Sequence, residues 1–264
     1  MTEIFEAITP HYNARKPSMI IIHGTEVDDE KSRYILSGKA LHEASAHYYI
    51  DDKGEVVQYL DETVRAWHAG KSHWAGFSDV NSLSVGIELL ALSHNRRFDG
   101  EDTFYTEAQI TALAELCQKI SASFNIRPHH ILGHQDIDSG RPYEPVPTEQ
   151  IEALAEEKPL AMQKKYDPGP SFPWKKLADL GVGVWHGLEK PKQDTVIEDK
   201  YMIEAFAQML TLYGYDTRPA PTGRDLKDVI TAFQTHFLPW NICGLVTEQS
   251  VKALDILLQK KFGS

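Results

Sequence analysis

Cysteine is nearly absent, with two residues in 264, so a disulfide-stapled scaffold is excluded. Positive charge is short: Lys and Arg total 27 against 38 Asp and Glu, a net charge of −11. A chain this acidic is a poor partner for nucleic acid, whose affinity comes largely from phosphate neutralisation. It is equally poor as a polybasic binder of membrane surfaces. No apolar run approaches the ~20 residues of a membrane span. The opening MTEIFEAITPHYNARK lacks an apolar signal core, so no secretory signal is expected. What remains is an ordinary globular composition, 42% hydrophobic and 25% charged, long enough for one or two domains with a real core. The unusual abundance is histidine, 12 residues, which directs attention to metal or acid–base chemistry.

The apolar run Met19-Ile20-Ile21-Ile22 reads as a strand buried on both faces and ends on His23-Gly24-Thr25. His47 to Leu60 reads as a β-hairpin around the turn residues Asp51-Asp52-Lys53-Gly54. Arg65 to Gly70 reads as a surface loop, and Ser84 to Leu90 as another strand. A helix capped by Thr106 runs to about Asn125, with Ile110, Leu113, Ala114, Cys117 and Ile120 at helical spacing. His129 to Gly133 looks like a short strand ending at His134. Thr148 to Lys165 looks helical, Asp167-Pro168-Gly169-Pro170 is a rigid loop, and Phe172 to Leu180 is a further helix. The polar stretch 187–199 lacks periodicity and reads as a linker. Beyond it, three amphipathic stripes built on Phe206, Phe233 and Leu254 describe a small all-α module over 200–264, with Gly214 and Thr247 as helix caps. Cys117 belongs to a core stripe and Cys243 to the other unit, so no intrachain disulfide is expected.

His23 and His134 each close an apolar strand, where a sheet gathers site residues. Asp167 sits in a loop stiffened by proline. Two imidazoles and one carboxylate match the ligand count of a catalytic zinc, leaving a fourth position open. Glu88 lies in an apolar strand, a costly place for a carboxylate unless it faces a site or solvent, and is a candidate base.

Six motifs occur in order: His23 after an apolar strand, Ser45-Ala46-His47, Arg65-Ala66-Trp67-His68-Ala69-Gly70, Ser84-Val85-Gly86-Ile87-Glu88, Gly133-His134-Gln135-Asp136-Ile137 and Lys165-Tyr166-Asp167-Pro168-Gly169-Pro170. Over roughly residues 15–181 the chain resembles the zinc-dependent N-acetylmuramoyl-L-alanine amidases of the AmpD/AmiD type, the amidase_2 superfamily shared with peptidoglycan recognition proteins. The C-terminal stretch, with Ala232-Phe233-Gln234 and Gly244-Leu245-Val246-Thr247, resembles a three-helix peptidoglycan-binding module. The resemblance implies an α/β fold, a central mixed sheet flanked by helices, over residues 1–186, then the linker 187–199 and the helical domain 200–264. It implies Zn2+ held by His23, His134 and Asp167, Glu88 as general base and Lys165 as the cation beside the oxyanion. The substrate would be peptidoglycan or a muropeptide, cut between N-acetylmuramic acid and L-alanine.

Two departures from the family stand out. The gap from His134 to Asp167 is 33 positions, longer than the family's usual ten or so, which leaves Asp136 and Asp138 as rival ligands and 141–164 as an insertion, read as a helical excursion beside the metal. The residue before His47 is Ala46, where some branches carry a catalytic Tyr, so the base role falls to Glu88. Trp67, His68 and His47 are candidate substrate-groove residues, although a structural role fits the two histidines equally well. A non-catalytic recognition protein and a secreted wall-degrading effector are the alternative functions. A wall-binding module favours the periplasm or cell envelope, the missing signal favours the cytoplasm, and the insertion's apolar positions allow a homo-oligomer.

Overall fold

A computed structural model describes residues 15–25, 27–40, 44–91, 105–138, 166–218 and 225–263. Lys165 and the insertion 141–164 lie outside the described residues, as do the expected helix over Thr148 to Lys165 and the helical excursion. β1 (Met19–Gly24) is buried along its whole length, as its unbroken apolar run requires. It lies between β4 (Ser84–Leu89) and β5 (Ile131–Gly133), pairing parallel with both. β2 (Tyr48–Ile50) adds parallel to β4, and β3 (Val56–Gln58) closes the expected hairpin antiparallel to β2. The five-stranded mixed sheet has the order β3-β2-β4-β1-β5, flanked by helices as expected.

The register assigns the two faces. His23 pairs with Glu88, which pairs with Tyr49, and lateral neighbours in a sheet point the same way. In β4 that face carries Ser84, Gly86 and Glu88, while Val85, Ile87 and Leu89 take the other. These three join Ile110, Leu113, Cys117 and Ile120 of α2 (Glu107–Phe124) in one hydrophobic cluster. α2 starts with a capping box: Gln109 N–H donates to Thr106 Oγ1 and Thr106 N–H to Gln109 Oε1. Such a cap is worth about 1 kcal/mol.

On the polar face lies α1 (Asp29–Leu36), a charged eight-residue helix that sequence periodicity does not reveal. Tyr49 Oη–H reaches down the face to donate to Asp29 at 2.7 Å. α3 (His134–Ile137) is a single turn directly after β5, and α4 (Trp174–Asp179) is shorter than the helix expected from Phe172. The expected strand over His129 and His130 is instead a 3-10 turn, Pro128–His130, with the strand starting at Ile131. Pro128 at its start has no N–H to give a sheet ladder.

The C-terminal helices are α5 (Lys200–Tyr213), α6 (Leu226–Phe237) and α7 (Glu248–Phe262). Phe206 and Phe233 meet edge-on between α5 and α6, and Thr247 caps α7 as its sequence suggests. The stretch read as a linker is bonded to the start of α7. Ile197 N–H donates to Val246 O, Glu248 N–H to Thr195 O and Gln249 N–H to Asp194 Oδ1. The three helices also touch the sheet unit. Trp74 meets Tyr215 edge-on at 4.9 Å, and Gly214 has no Cβ because one would stand 2.6 Å from the Trp74 ring. Gly214 therefore serves two needs, the positive φ of a helix end and the close approach of an indole.

Candidate metal centre

β1 and β5 deliver His23 and His134 to the same edge of the sheet, because the strands are parallel and Ile22 pairs with Gly133. Asp167 arrives from 33 positions away. Its segment docks because Gly133 lacks a side chain: a Cβ there would stand 2.8 Å from Pro168 Cδ. Gln135 N–H donates to Asp167 O at 3.0 Å, and the buried Tyr105 Oη–H donates to Pro168 O at 2.7 Å. The spread of motifs along the chain thus collapses to one point.

At that point His23 Nδ1, His134 Nδ1 and Asp167 Oδ2 form a triangle with every edge 3.1 Å. All three residues are buried. Three electron-pair donors at contact distance repel unless a proton or a cation lies among them. A tetrahedral ion with bonds of ~2.05 Å has ligand–ligand edges of about 3.3 Å, so the triangle has the size of one face of such a shell. Among the described residues this is the one cluster of His, Cys, Asp or Glu that could hold a metal ion. The two imidazoles and the carboxylate fit a metal as donors and in spacing. The rival Asp136 is turned away, its oxygens accepting from Gly133 N–H, Tyr215 Oη–H and His236 Nδ1 at 2.7–2.8 Å.

Burial alone would raise the Asp167 carboxyl, but the charges and hydrogen bonds of His134 and His23 outweigh it and hold the carboxyl well below the usual range. Burial, and after it the neighbouring His23 and His47, push His68 well below the ordinary imidazole range. Burial, then the charges of Asp167 and Glu88, raise Tyr105 well above the phenol range.

A cavity of about 200 Å³ opens above the triangle. Glu88 lines it, one strand over from His23 by register. Val27, Ile35 and Leu36 supply an apolar wall, and the half-exposed Trp67 forms part of the lining. His68 also lines it and is buried. The Arg65–Gly70 stretch is therefore less a surface loop than expected, since Ala66, His68 and Ala69 are all buried. His47 is fully buried and is not among the lining residues; its Nδ1 accepts from Gly86 N–H and its Nε2 donates to Val64 O.

Sequence reading missed Tyr105, Ser84, Asn81 and the α1 wall. The alternation Ser84-x-Gly86-x-Glu88 against Val85-x-Ile87-x-Leu89 was the available signal for a polar, site-facing side of β4.

The sequence matches the Amidase_2 family, described as N-acetylmuramoyl-L-alanine amidase, over residues 13–170. It is 31% identical to the N-acetylmuramoyl-L-alanine amidase AmiD of Escherichia coli K12 over 261 residues, covering 92% of this chain and 82% of AmiD. It is 30% identical to the 1,6-anhydro-N-acetylmuramyl-L-alanine amidase AmpD of Salmonella typhimurium SL1344, over 65% of this chain and 87% of AmpD. The structure of AmiD from E. coli, solved with anhydro-N-acetylmuramic acid-L-Ala-D-gamma-Glu-L-Lys, superposes with a TM-score of 0.71 at 28% identity, covering 97% and 93% of the two chains. AmpDh3 of Pseudomonas aeruginosa, with an anhydromuramic pentapeptide, gives 0.68 at 27% identity and 99% coverage of both. A buried His/His/Asp triangle at the end of a mixed sheet, in a chain with these relatives, leads to one assignment: the protein belongs to the Amidase_2 family of N-acetylmuramoyl-L-alanine amidases.

Proposed function

We propose that the chain hydrolyses the amide between the lactyl group of N-acetylmuramic acid and L-alanine, with zinc held by His23, His134 and Asp167. The carrying observation is the 3.1 Å triangle of two imidazole nitrogens and a carboxylate oxygen, with Glu88 on the adjacent strand. Nitrogen and carboxylate donors at tetrahedral spacing suit zinc. When bound, zinc supplies a Lewis acid for the scissile carbonyl and acidifies water. Glu88 takes the proton of the attacking water and returns it to the leaving amine of L-alanine, a role worth about 10²–10⁴ in rate. Lys165, outside the described residues, keeps the oxyanion role that the family resemblance gives it. Trp67 offers a stacking face, and His68 lines the groove. Anhydromuropeptides, the ligands in the AmiD and AmpDh3 structures, are the first substrates to try.

Residues 1–186 act as the catalytic unit, and 200–264, joined through 187–199, hold polymeric wall. A wall-binding role favours the periplasm or cell envelope, where polymeric wall is reached. Among the described residues no helix is long and apolar enough to cross a membrane.

The test is release of the stem peptide from an anhydromuropeptide, read by mass spectrometry. A chelator should abolish it and zinc restore it. Glu88→Ala should keep zinc and lose about 10²–10⁴ in kcat. Activity in protein shown to be zinc-free, or full turnover by Glu88→Ala, overturns the assignment concerned.

A further inference from the structure

His68 does more than line the groove. Its Nδ1 stands 3.0 Å from His23 Nε2, on the side of that ring opposite the triangle, and its Nε2 stands 3.2 Å from Ser84 Oγ. Ser84 has one hydroxyl proton. Its oxygen is 2.7 Å from Val80 O, and two acceptors at that distance need a proton between them. The proton therefore goes to Val80, and Ser84 Oγ accepts from His68 Nε2–H. With its proton on Nε2, His68 presents a bare Nδ1 and accepts from His23 Nε2–H. His23 is thereby left with its lone pair on Nδ1, the atom facing His134 and Asp167. The reverse direction would leave Ser84 and Val80 oxygens in contact without a proton and would put a proton on His23 Nδ1.

The ring at 68 is held for this purpose from three sides. His68 N–H and Ala69 N–H both donate to Asn81 Oδ1, at 2.9 and 2.8 Å. The ring lies on Gly86, where a Cβ would stand 2.4 Å from its Cγ, so no other residue at 86 admits it. His23 meets it edge-on, at 83° between planes.

We propose that His68 is a positioning residue: the chain Val80–Ser84–His68–His23 fixes the tautomer of His23 so that Nδ1 is presented to the metal. The proposal rests on the reading of His23 as a ligand. Outer partners of ligating imidazoles typically change metal affinity 10–100-fold when removed.

The test measures zinc affinity by chelator competition, independently of turnover, in wild type, His68→Leu, His68→Asn and His23→Ala. Leu removes the acceptor, whereas Asn Oδ1 restores one near the position of Nδ1. His68→Leu should lose 10–100-fold, and His68→Asn should recover most of it. Long-range ¹H–¹⁵N spectra of zinc-loaded wild type should show both His23 and His68 protonated on Nε2, a readout that needs no variant to fold. Unchanged zinc affinity in folded His68→Leu, equal losses in Leu and Asn, or a His68 ring protonated on Nδ1 overturns the relay alone. Unchanged zinc binding by His23→Ala, or none by wild type, overturns the ligand reading and the relay with it.

Discussion

The two imidazoles of the triangle are held by different parts of the chain. His23 ends a strand in the middle of the sheet, and its Nε2 meets His68, which is itself seated by Ser84 and Gly86, all within the sheet unit. His134 stands in a single turn whose stability is borrowed. Asp136, two residues on, caps Gly133 N–H and accepts from Tyr215 and His236 of the C-terminal segment, 79 and 100 positions away. His236 is itself stacked on Trp174 at 3.7 Å between ring centres. One side of the centre is thus made by sheet register, the other by docking of the C-terminal helices. The lesson is that helices far along the chain can be part of the frame of a site built on the sheet.

The C-terminal brace depends most on Asp136. Replacing it with alanine strips three buried donors of their acceptor at once, and losing one member of a buried polar network costs about 3–5 kcal/mol. Thermal unfolding should show a large fall in Tm, with zinc affinity lowered through His134. A Tm near wild type would show that the C-terminal helices do not brace this turn.

Two glycines separate the two sides of the centre. Gly214→Ala drives a Cβ into Trp74 and should destabilise by about 1–3 kcal/mol, seen as a lower denaturation midpoint with zinc affinity little changed in the folded fraction. Gly86→Ala pushes the His68 ring off its seat and should lower zinc affinity more than it lowers Tm. Identical patterns for both variants would remove the distinction between the two sides.

Tyr215→Phe takes one of the donors from Asp136 and leaves its other contacts, for about 1 kcal/mol by urea denaturation. A change several times larger would mean that Tyr215 carries more of the brace than His236.

The last effect is absent at neutral pH and emerges on acidification. His129, beside Lys261 of α7, is lowered from 6.5 to about 4, by burial first and then by His130, Lys261 and Arg127. Between those values the unfolded chain takes up a proton that the folded chain refuses, so stability falls as pH drops from about 6.5 toward 4. His129→Gln should flatten part of that slope in Tm measured from pH 7 to 4.5, and an unchanged slope would locate the acid sensitivity elsewhere.

Much of this was legible in the residues. Thr106 and Thr247 announce helix starts that the structure reproduces by pairing them with Gln109 and Ser250, because a cap is a contact between residues three apart. The apolar run of β1 and the helical stripes of α2 and α6 are likewise local periodicities. α1 was missed because its eight residues are mostly polar and its contacts, such as Tyr49 with Asp29, lie 20 positions away. Arg65 to Gly70 looked like a surface loop because nothing local says that Asn81 and Gly86 will receive it.

The sequence by itself determined where the capped helices begin, the family, and the residue types that a hydrolytic metal centre needs. Only the tertiary structure decided which of them meet. Asp167 rather than Asp136 reaches the imidazoles because Gly133 leaves room for Pro168, while Asp136 is claimed by Tyr215 and His236. Periodicity and capping are set by neighbours along the chain, where sequence order is distance. The partner of a buried polar atom is set by which surfaces close over it, and that is fixed only when the whole chain packs.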